Sequence, residues 1–240
     1  MSAAKRFSLL LPVLLVLTVN SIAQNVLKQS CLIGRLGEEY PAAGKLASGF
    51  RAEILECSSL AGEDPKLMES IIFPELLRYN SLYDAVQIGS LVVLYTHWGE
   101  KYADFSIGYF QMKPSFAEMI ERIASKSRAR WVKDLGFDLL KVEDSFENRR
   151  LRVERLRDVS WQVKYLAAFI KICRAKYKLK RGSEDDVCVL ATAYNAGFHR
   201  PLAELKVFQS KELFFTGPLP QGERFNYSSI ALARFRELRN

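Results

Sequence analysis

The chain has 240 residues, of which 49% are hydrophobic and 26% are charged, and its formal net charge is +8. This composition is typical of a globular protein and excludes a disordered chain. The basic excess favours an anionic partner surface, such as a bacterial cell wall, a membrane or a nucleic acid, and it leaves the fold undetermined.

The first 23 residues have the pattern of a secretory signal peptide. Lys5 and Arg6 precede an apolar run at 9–19, and small residues follow at Ser21 and Ala23. The run is short against the ~20 residues that a membrane anchor needs. We therefore expect export across the inner membrane and a mature chain that begins at Gln24, with 33 basic and 27 acidic residues.

Beyond this segment the hydrophobic spacing predicts an all-α protein, because no alternating run is long enough to build a sheet. We expect an N-terminal extension at 24–60 and a single domain at 61–240. Asp64 and Pro65 are a helix start, with an acceptor side chain at the cap and proline in the first turn.

The helix that follows contains the first candidate catalytic residue, Glu75. This residue shares one face with Leu67 and Ile71, at the end of an apolar stripe. Apolar surroundings raise the pKa of a carboxyl, as a general acid requires. Two observations weigh against this role: Pro74 should kink or restart the helix, and Arg78 could form an ion pair that lowers the pKa.

Three later segments have clear patterns. Residues 82–98 form a second amphipathic helix that Gly99 ends, and the stretch 108–114 is a loop into a helix with a capping box from Ser115 to Glu118. Residues 143–158 are a charge-dense helix. Its five arginines are expected on a solvated face, and no nucleic-acid partner is expected because no aromatic residues alternate with them. The five are Arg149, Arg150, Arg152, Arg155 and Arg157.

The four cysteines allow disulfides in an oxidising compartment, with three possible connectivities. A Cys173–Cys188 pair closes the shorter loop, which would leave Cys31 and Cys57; buried free thiols are the alternative. The chain has two histidines and no Cys-x-x-Cys motif, so we expect no metal site, and nothing indicates an organic cofactor.

The order of motifs resembles the lytic transglycosylases of the soluble-lytic-transglycosylase type, which share a goose-type lysozyme-like fold. The resemblance covers about residues 62–232. It rests on Glu75, then Gly108-Tyr109-Phe110-Gln111-Met112-Lys113-Pro114, then Trp161-Gln162-Val163-Lys164-Tyr165-Leu166, then Ala193-Tyr194-Asn195-Ala196-Gly197, and then a segment from Pro220 to Tyr227.

This resemblance implies an envelope enzyme that cleaves the bond between N-acetylmuramic acid and N-acetylglucosamine in peptidoglycan without water. It implies that Glu75 acts as acid and then base, and that the product is a 1,6-anhydro sugar. By the same resemblance Gln111 binds sugar, Tyr194 places its hydroxyl against Glu75 or the sugar, Asn195 holds the helix end, and Tyr227 lies in the groove.

The residues leave three alternatives open. Glu75 and Gln111 are 36 residues apart, about twice the spacing of the resembled enzymes, so Glu100 is a competing acid. A hydrolysing muramidase would need a second carboxylate, for which Asp84 and Asp104 are the candidates. A lysozyme-like protein that binds glycan without cleaving it is the third.

Overall fold

The computed structural model describes residues 24, 26–79, 81–216 and 222–240, with the backbone alone for residues 81–88. Its contacts divide the chain into two compact units, Met1–Pro41 and Ala42–Asn240. The predicted signal peptide, residues 1–23, lies outside the described residues. Within these ranges, no helix is both long enough and apolar enough to cross a membrane.

The protein is mainly helical, as the sequence predicts. Residues 26–36 are helical (α1), and the helices that follow are α2 (Glu39–Ser48), α3 (Arg51–Ala61), α4 (Pro65–Arg78), α5 (Ser81–Trp98), α6 (Pro114–Lys126), α7 (Arg130–Asp134), a 3-10 turn (Phe137–Leu139), α8 (Phe146–Arg157), α9 (Val159–Tyr177), α10 (Glu184–Ala196), α11 (Leu202–Gln209) and α12 (Tyr227–Arg239). Two short antiparallel strands, β1 (Phe214–Phe215) and β2 (Arg224–Phe225), pair before α12. The second unit begins at Ala42, so α3 lies in the same unit as the predicted domain and packs on α4 and α9.

Helix α4 is the central element of the second unit. The Asp64 side chain accepts a hydrogen bond from the Lys66 backbone N–H at 2.9 Å, which confirms the predicted helix start. Every residue from Leu67 to Leu77 is buried, because α4 packs against α12, α10 and α3. The helix is continuous through Pro74, so the predicted restart does not occur. Packing against these helices offsets the loss of the hydrogen bond that proline removes.

Helix α5 packs against α8, and this pairing corrects the expectation of a wholly solvated arginine face. Arg149 and Arg152 are buried. The Arg149 Nε donates to the Thr96 carbonyl at 2.9 Å, and the Arg152 Nη2 donates to the Glu121 carboxylate at 2.6 Å. These partners come from α5 and α6, and they supply the pairing that a buried guanidinium requires.

All four cysteines lie in the described residues and all are free thiols, so the Cys173–Cys188 pair considered above does not form. Cys57, Cys173 and Cys188 are buried, and Cys31 is exposed. The Cys57 thiol donates to the Val163 carbonyl, and burial raises its pKa to about 12. Burial also raises the pKa of Cys188 to about 11. These thiols act as small core side chains that do not ionise near neutral pH.

Candidate functional site

A cavity of about 460 Å³ opens where the end of α4, the loop before α6 and the end of α10 meet. Four of the five predicted site residues line it: Glu75, Gln111, Tyr194 and Asn195. They come from three separate elements, which are brought together because α4 packs on α10. The fifth, Tyr227, contacts Glu75 but does not line this cavity.

Glu75 is the buried carboxyl of the cavity. Its side chain is only 6% exposed, and its Oε2 accepts a hydrogen bond from the Arg78 Nη2 at 2.8 Å. Burial raises the pKa of Glu75 above its ordinary value, and the positive charge of Arg78 opposes this rise. Both sequence interpretations therefore hold: the apolar setting and the i,i+3 ion pair act on the same carboxyl in opposite directions, and burial has the larger effect.

Tyr227 is a buried neighbour of Glu75 that does not line the cavity. Its hydroxyl lies 3.0 Å from the Ile71 carbonyl oxygen and is also hydrogen-bonded to the Glu75 carboxyl. A hydroxyl has one proton and two lone pairs. Tyr227 can therefore donate to an ionised Glu75, or accept from a protonated Glu75 while it donates to Ile71. Burial, and then the Glu75 charge, keep the Tyr227 pKa well above its usual value. The contact suits an acid that changes its protonation state.

The loop that contains Gln111 is tight and strained. Ile107 and Met112 pair through two backbone hydrogen bonds of 2.9 and 3.2 Å. Gln111 has a φ of +49°, a left-handed conformation that is uncommon for a residue other than glycine. Its Nε2 donates to the Gly108 carbonyl at 2.9 Å. Gln111, which we expected to bind sugar, thus lines the cavity, and its amide is hydrogen-bonded to its own loop. Its backbone has a strained conformation of a kind that concentrates at ligand sites.

The loop leads into α6, as predicted, but the capping box does not form. Helix α6 begins at Pro114, and the side chain of its N-cap residue, Lys113, forms no capping hydrogen bond. The backbone N–H and the hydroxyl of Ser115 instead donate to the Asp104 carboxylate at 3.0 and 2.8 Å. The Asp104 carboxylate, from outside the helix, therefore accepts the hydrogen bond from the Ser115 N–H that the capping-box pattern assigned to Glu118. This contact also fixes Asp104 in the cavity wall.

Gln162, in α9, is hydrogen-bonded to the backbone of the loop that contains Gln111, and we call this set of contacts the clamp. The sequence assigned Gln162 no role. Its Oε1 accepts from the Phe110 N–H at 3.2 Å, and its Nε2 donates to the Ile107 and Leu156 carbonyls at 3.1 and 2.6 Å. A Cβ on Gly108 would lie 1.9 Å from this Nε2, so only glycine fits at this point of the loop. A polar residue in the otherwise apolar stripe of α9 was the available signal.

Tyr194 joins the end of α10 to the same loop. Its hydroxyl donates to the Phe110 carbonyl at 2.7 Å, and its ring packs edge-on against Phe116 and Phe169. Burial, and then the charge of Glu75, raise the Tyr194 pKa well above its usual value. Its hydroxyl binds the loop backbone, whereas we expected a contact with Glu75 or sugar.

The end of α10 leaves Asn195 exposed in the cavity wall. The Gly197 N–H donates to the Ala193 carbonyl at 3.0 Å, and Gly197 has a φ of +101°. This backbone conformation favours glycine. The Ala-Tyr-Asn-Ala-Gly ending therefore closes the helix and presents Tyr194 and Asn195 to the cavity in the same turn.

The competing acid Glu100 lines a different cavity, of about 400 Å³, beside α5 and α8. Glu118 borders the same space, and burial raises its pKa. The Glu118 Oε1 accepts from the Tyr95 hydroxyl at 2.7 Å and from the Arg152 Nη1 at 3.0 Å, which is a structural network of the core. Of the two carboxylates proposed as a second catalytic group, Asp104 shares the cavity of Glu75, and the side chain of Asp84 lies outside the described residues.

Helix α5 accounts for the long spacing between Glu75 and Gln111. None of its described side chains, 89–98, lines the Glu75 cavity, because this part of the helix packs on α8.

Among the described residues, no group of three or more His, Cys, Asp or Glu side chains is arranged to hold a metal ion. Comparisons of the chain with family models, curated proteins and solved structures found no match.

Proposed function

We propose that this protein is a peptidoglycan lytic transglycosylase with a lysozyme-like fold. One observation carries the proposal: a buried carboxyl with a raised pKa, Glu75, faces a cavity that Gln111 and Tyr194 also line. A general acid that works near neutral pH needs this environment. The order of motifs in the chain supports the same conclusion.

In the proposed reaction, Glu75 protonates the oxygen between N-acetylmuramic acid and N-acetylglucosamine. It then takes the proton from the C6 hydroxyl of the muramic acid as that oxygen attacks the anomeric carbon. One carboxyl is enough, because the acetamido group of the substrate can stabilise the developing positive charge. Tyr227 can accept or donate a hydrogen bond as Glu75 changes state. Gln111 is the amide that would meet the acetamido group.

The proposed partner is the glycan strand of peptidoglycan, met in the periplasm by a protein that is peripheral to the envelope. The basic excess of the chain would draw it towards an anionic wall. The reaction as written needs no metal and no organic cofactor. Nucleic acid is not a proposed partner, since Arg149 and Arg152 are engaged within the core.

The chain departs from the resembled enzymes next to the acid. Leu76 stands where those enzymes have serine, and it is a buried core side chain that offers no hydrogen bond. Pro74 precedes the acid within a continuous helix. In the proposed site, Tyr227 and Arg78 supply the polar contacts of Glu75 instead.

A hydrolysing muramidase is the second candidate, favoured by the position of Asp104 in the same cavity wall. An inverting hydrolase would use Asp104 to activate water, with the two carboxyl groups roughly 6.5 to 9.5 Å apart.

Glycan binding without cleavage is the third candidate, favoured by the Arg78 ion pair that stabilises the ionised form of Glu75.

Digestion of purified peptidoglycan tests the three candidates. The wild-type protein, Glu75→Gln and the matched control Glu100→Gln are compared, and the new sugar ends are identified by mass spectrometry. We expect 1,6-anhydro ends from the wild type and from Glu100→Gln, and none from Glu75→Gln. Reducing ends would support the muramidase. Intact strands that sediment with the protein would support binding without cleavage.

A further inference from the structure

Arg78 is the last residue of α4 and lies one turn after Glu75. Its Nη2 contacts the Glu75 Oε2 at 2.8 Å, yet its side chain is 33% exposed whereas that of Glu75 is 6% exposed. The guanidinium also lies over the Phe214 ring, 5.4 Å from the ring centroid. Arg78 therefore has solvent access to the cavity and an aromatic support that does not depend on Glu75.

This ion pair conflicts with the chemistry of the proposed acid. An arginine beside a carboxyl favours the ionised form, and an ionised Glu75 has no proton to give. If Arg78 moved away, Glu75 would be a buried carboxylate without a cation, which is costly, so it would take up a proton. Contact with Arg78 therefore opposes the protonation that acid catalysis requires, although burial keeps the pKa of Glu75 above its ordinary value.

We propose that Arg78 is a substrate-dependent positioning residue, which pairs with Glu75 in the resting protein and transfers to a carboxylate of the bound glycan strand. The guanidinium presents paired N–H donors that match a carboxylate, and such contacts are strong and directional. When Arg78 transfers, Glu75 takes one proton from bulk water, and the release of the strand reverses both steps. This inference rests on the proposed function, because it assumes a glycan that carries carboxylates.

The groups around Glu75 are compatible with this exchange. Tyr227 from α12 and Tyr194 from α10 are neutral, since burial raises the pKa of both. Lys113, before α6, acts on Glu75 only weakly, and its Nζ lies 3.7 Å from the Asp104 carboxylate. Arg78 is thus the main cationic influence on Glu75 among the described groups that act on it.

Equilibrium binding tests the inference without requiring turnover. The probes are anhydro-ended disaccharides, which are reaction products: one with its stem peptide, one with the peptide carboxylates amidated, and one without peptide, whose lactyl carboxylate is exposed. Calorimetry measures the binding of each probe to the wild type, Arg78→Gln, Arg78→Lys and Lys113→Gln. Each titration is repeated in buffers of different ionisation enthalpy, because the change in binding enthalpy between buffers gives the number of protons taken up. The titrations are made above the Glu75 pKa, where the resting pair is ionised.

We expect the wild type to bind a carboxylated probe about tenfold more tightly than the amidated probe, and to take up close to one proton. The lactyl and peptide probes show which carboxylate is bound. Arg78→Gln should lose both the preference and the proton uptake, and Arg78→Lys should keep part of the preference. Lys113→Gln should weaken all probes together.

The same preference in Arg78→Gln as in the wild type, or no proton uptake by the wild type, would overturn the inference. Arg78→Lys carries the test if the glutamine variant does not fold. The digestion experiment with Glu75→Gln tests the proposed function separately, because it measures cleavage and not this preference.

Discussion

The clamp formed by Gln162 gives the sharpest structural prediction. Replacement of Gln162 by methionine keeps a side chain of similar length and removes three hydrogen bonds to the backbone groups of Phe110, Ile107 and Leu156. The residue is fully buried, so water does not replace these bonds without cost. The Phe110 N–H and the Leu156 carbonyl lose this partner, whereas the Ile107 carbonyl still accepts from the Met112 N–H. A buried polar group that loses its partner costs about 1 to 3 kcal/mol, so we expect a loss of about 3 kcal/mol.

Urea unfolding measures this loss, and in a thermal scan the midpoint should fall by roughly 6 to 12 °C. Gln209→Met is the matched control. Its buried Oε1 has no hydrogen-bond partner among the residues that the structure describes, so its replacement should change the free energy of unfolding by less than about 0.5 kcal/mol. A loss below about 1 kcal/mol in Gln162→Met, or equal losses in the two variants, would refute the clamp.

Three further predictions follow from the buried groups. Burial raises the pKa of Glu75, so the stability it contributes is complete below the unfolded value of about 4.3 and is lost as the pH rises through the folded pKa. Glu75→Gln should therefore gain stability relative to the wild type as the pH rises above the unfolded value, as urea unfolding at each pH would measure; a constant difference would contradict this. Gly108→Ala should destabilise more than Gly136→Ala in thermal unfolding, because both have positive φ but only the first would place its Cβ 1.9 Å from a buried amide nitrogen. Arg152→Met should cost about 3 kcal/mol in urea, since it removes one of the two arginines that pair with the fully buried Glu121 and leaves only Arg155, whereas Arg150→Met at the exposed surface should have no measurable effect.

Local sequence signals predicted the elements whose causes are local. Asp64 and Pro65 mark the start of α4 because cap and helix are neighbours in the chain, and the Glu75–Arg78 pair follows from its i,i+3 spacing. Gly99, with a φ of +84°, ends α5 as expected. The mainly helical class follows from the same periodicity.

Contacts between distant segments could not be predicted in this way. The charge pattern of α8 indicated a solvated face, because nothing near Arg152 in the chain reveals Glu121, 31 residues away, as its partner. The capping pattern at Ser115 was overridden by Asp104. Two of the three backbone groups that Gln162 binds, those of Phe110 and Ile107, lie more than 50 residues before it in the chain. The cavity residues were predicted only from the order of motifs. Hydrophobic periodicity predicts helices, but it does not predict which helix ends lie together.

The measurement closest to the central claim is the identity of the sugar ends that the protein releases from peptidoglycan. The account predicts 1,6-anhydro ends from the wild type and from Glu100→Gln, whose carboxyl lines the other cavity, and no new ends from Glu75→Gln. Anhydro ends that persist in Glu75→Gln, or a wild-type protein that leaves the strands intact, would contradict it.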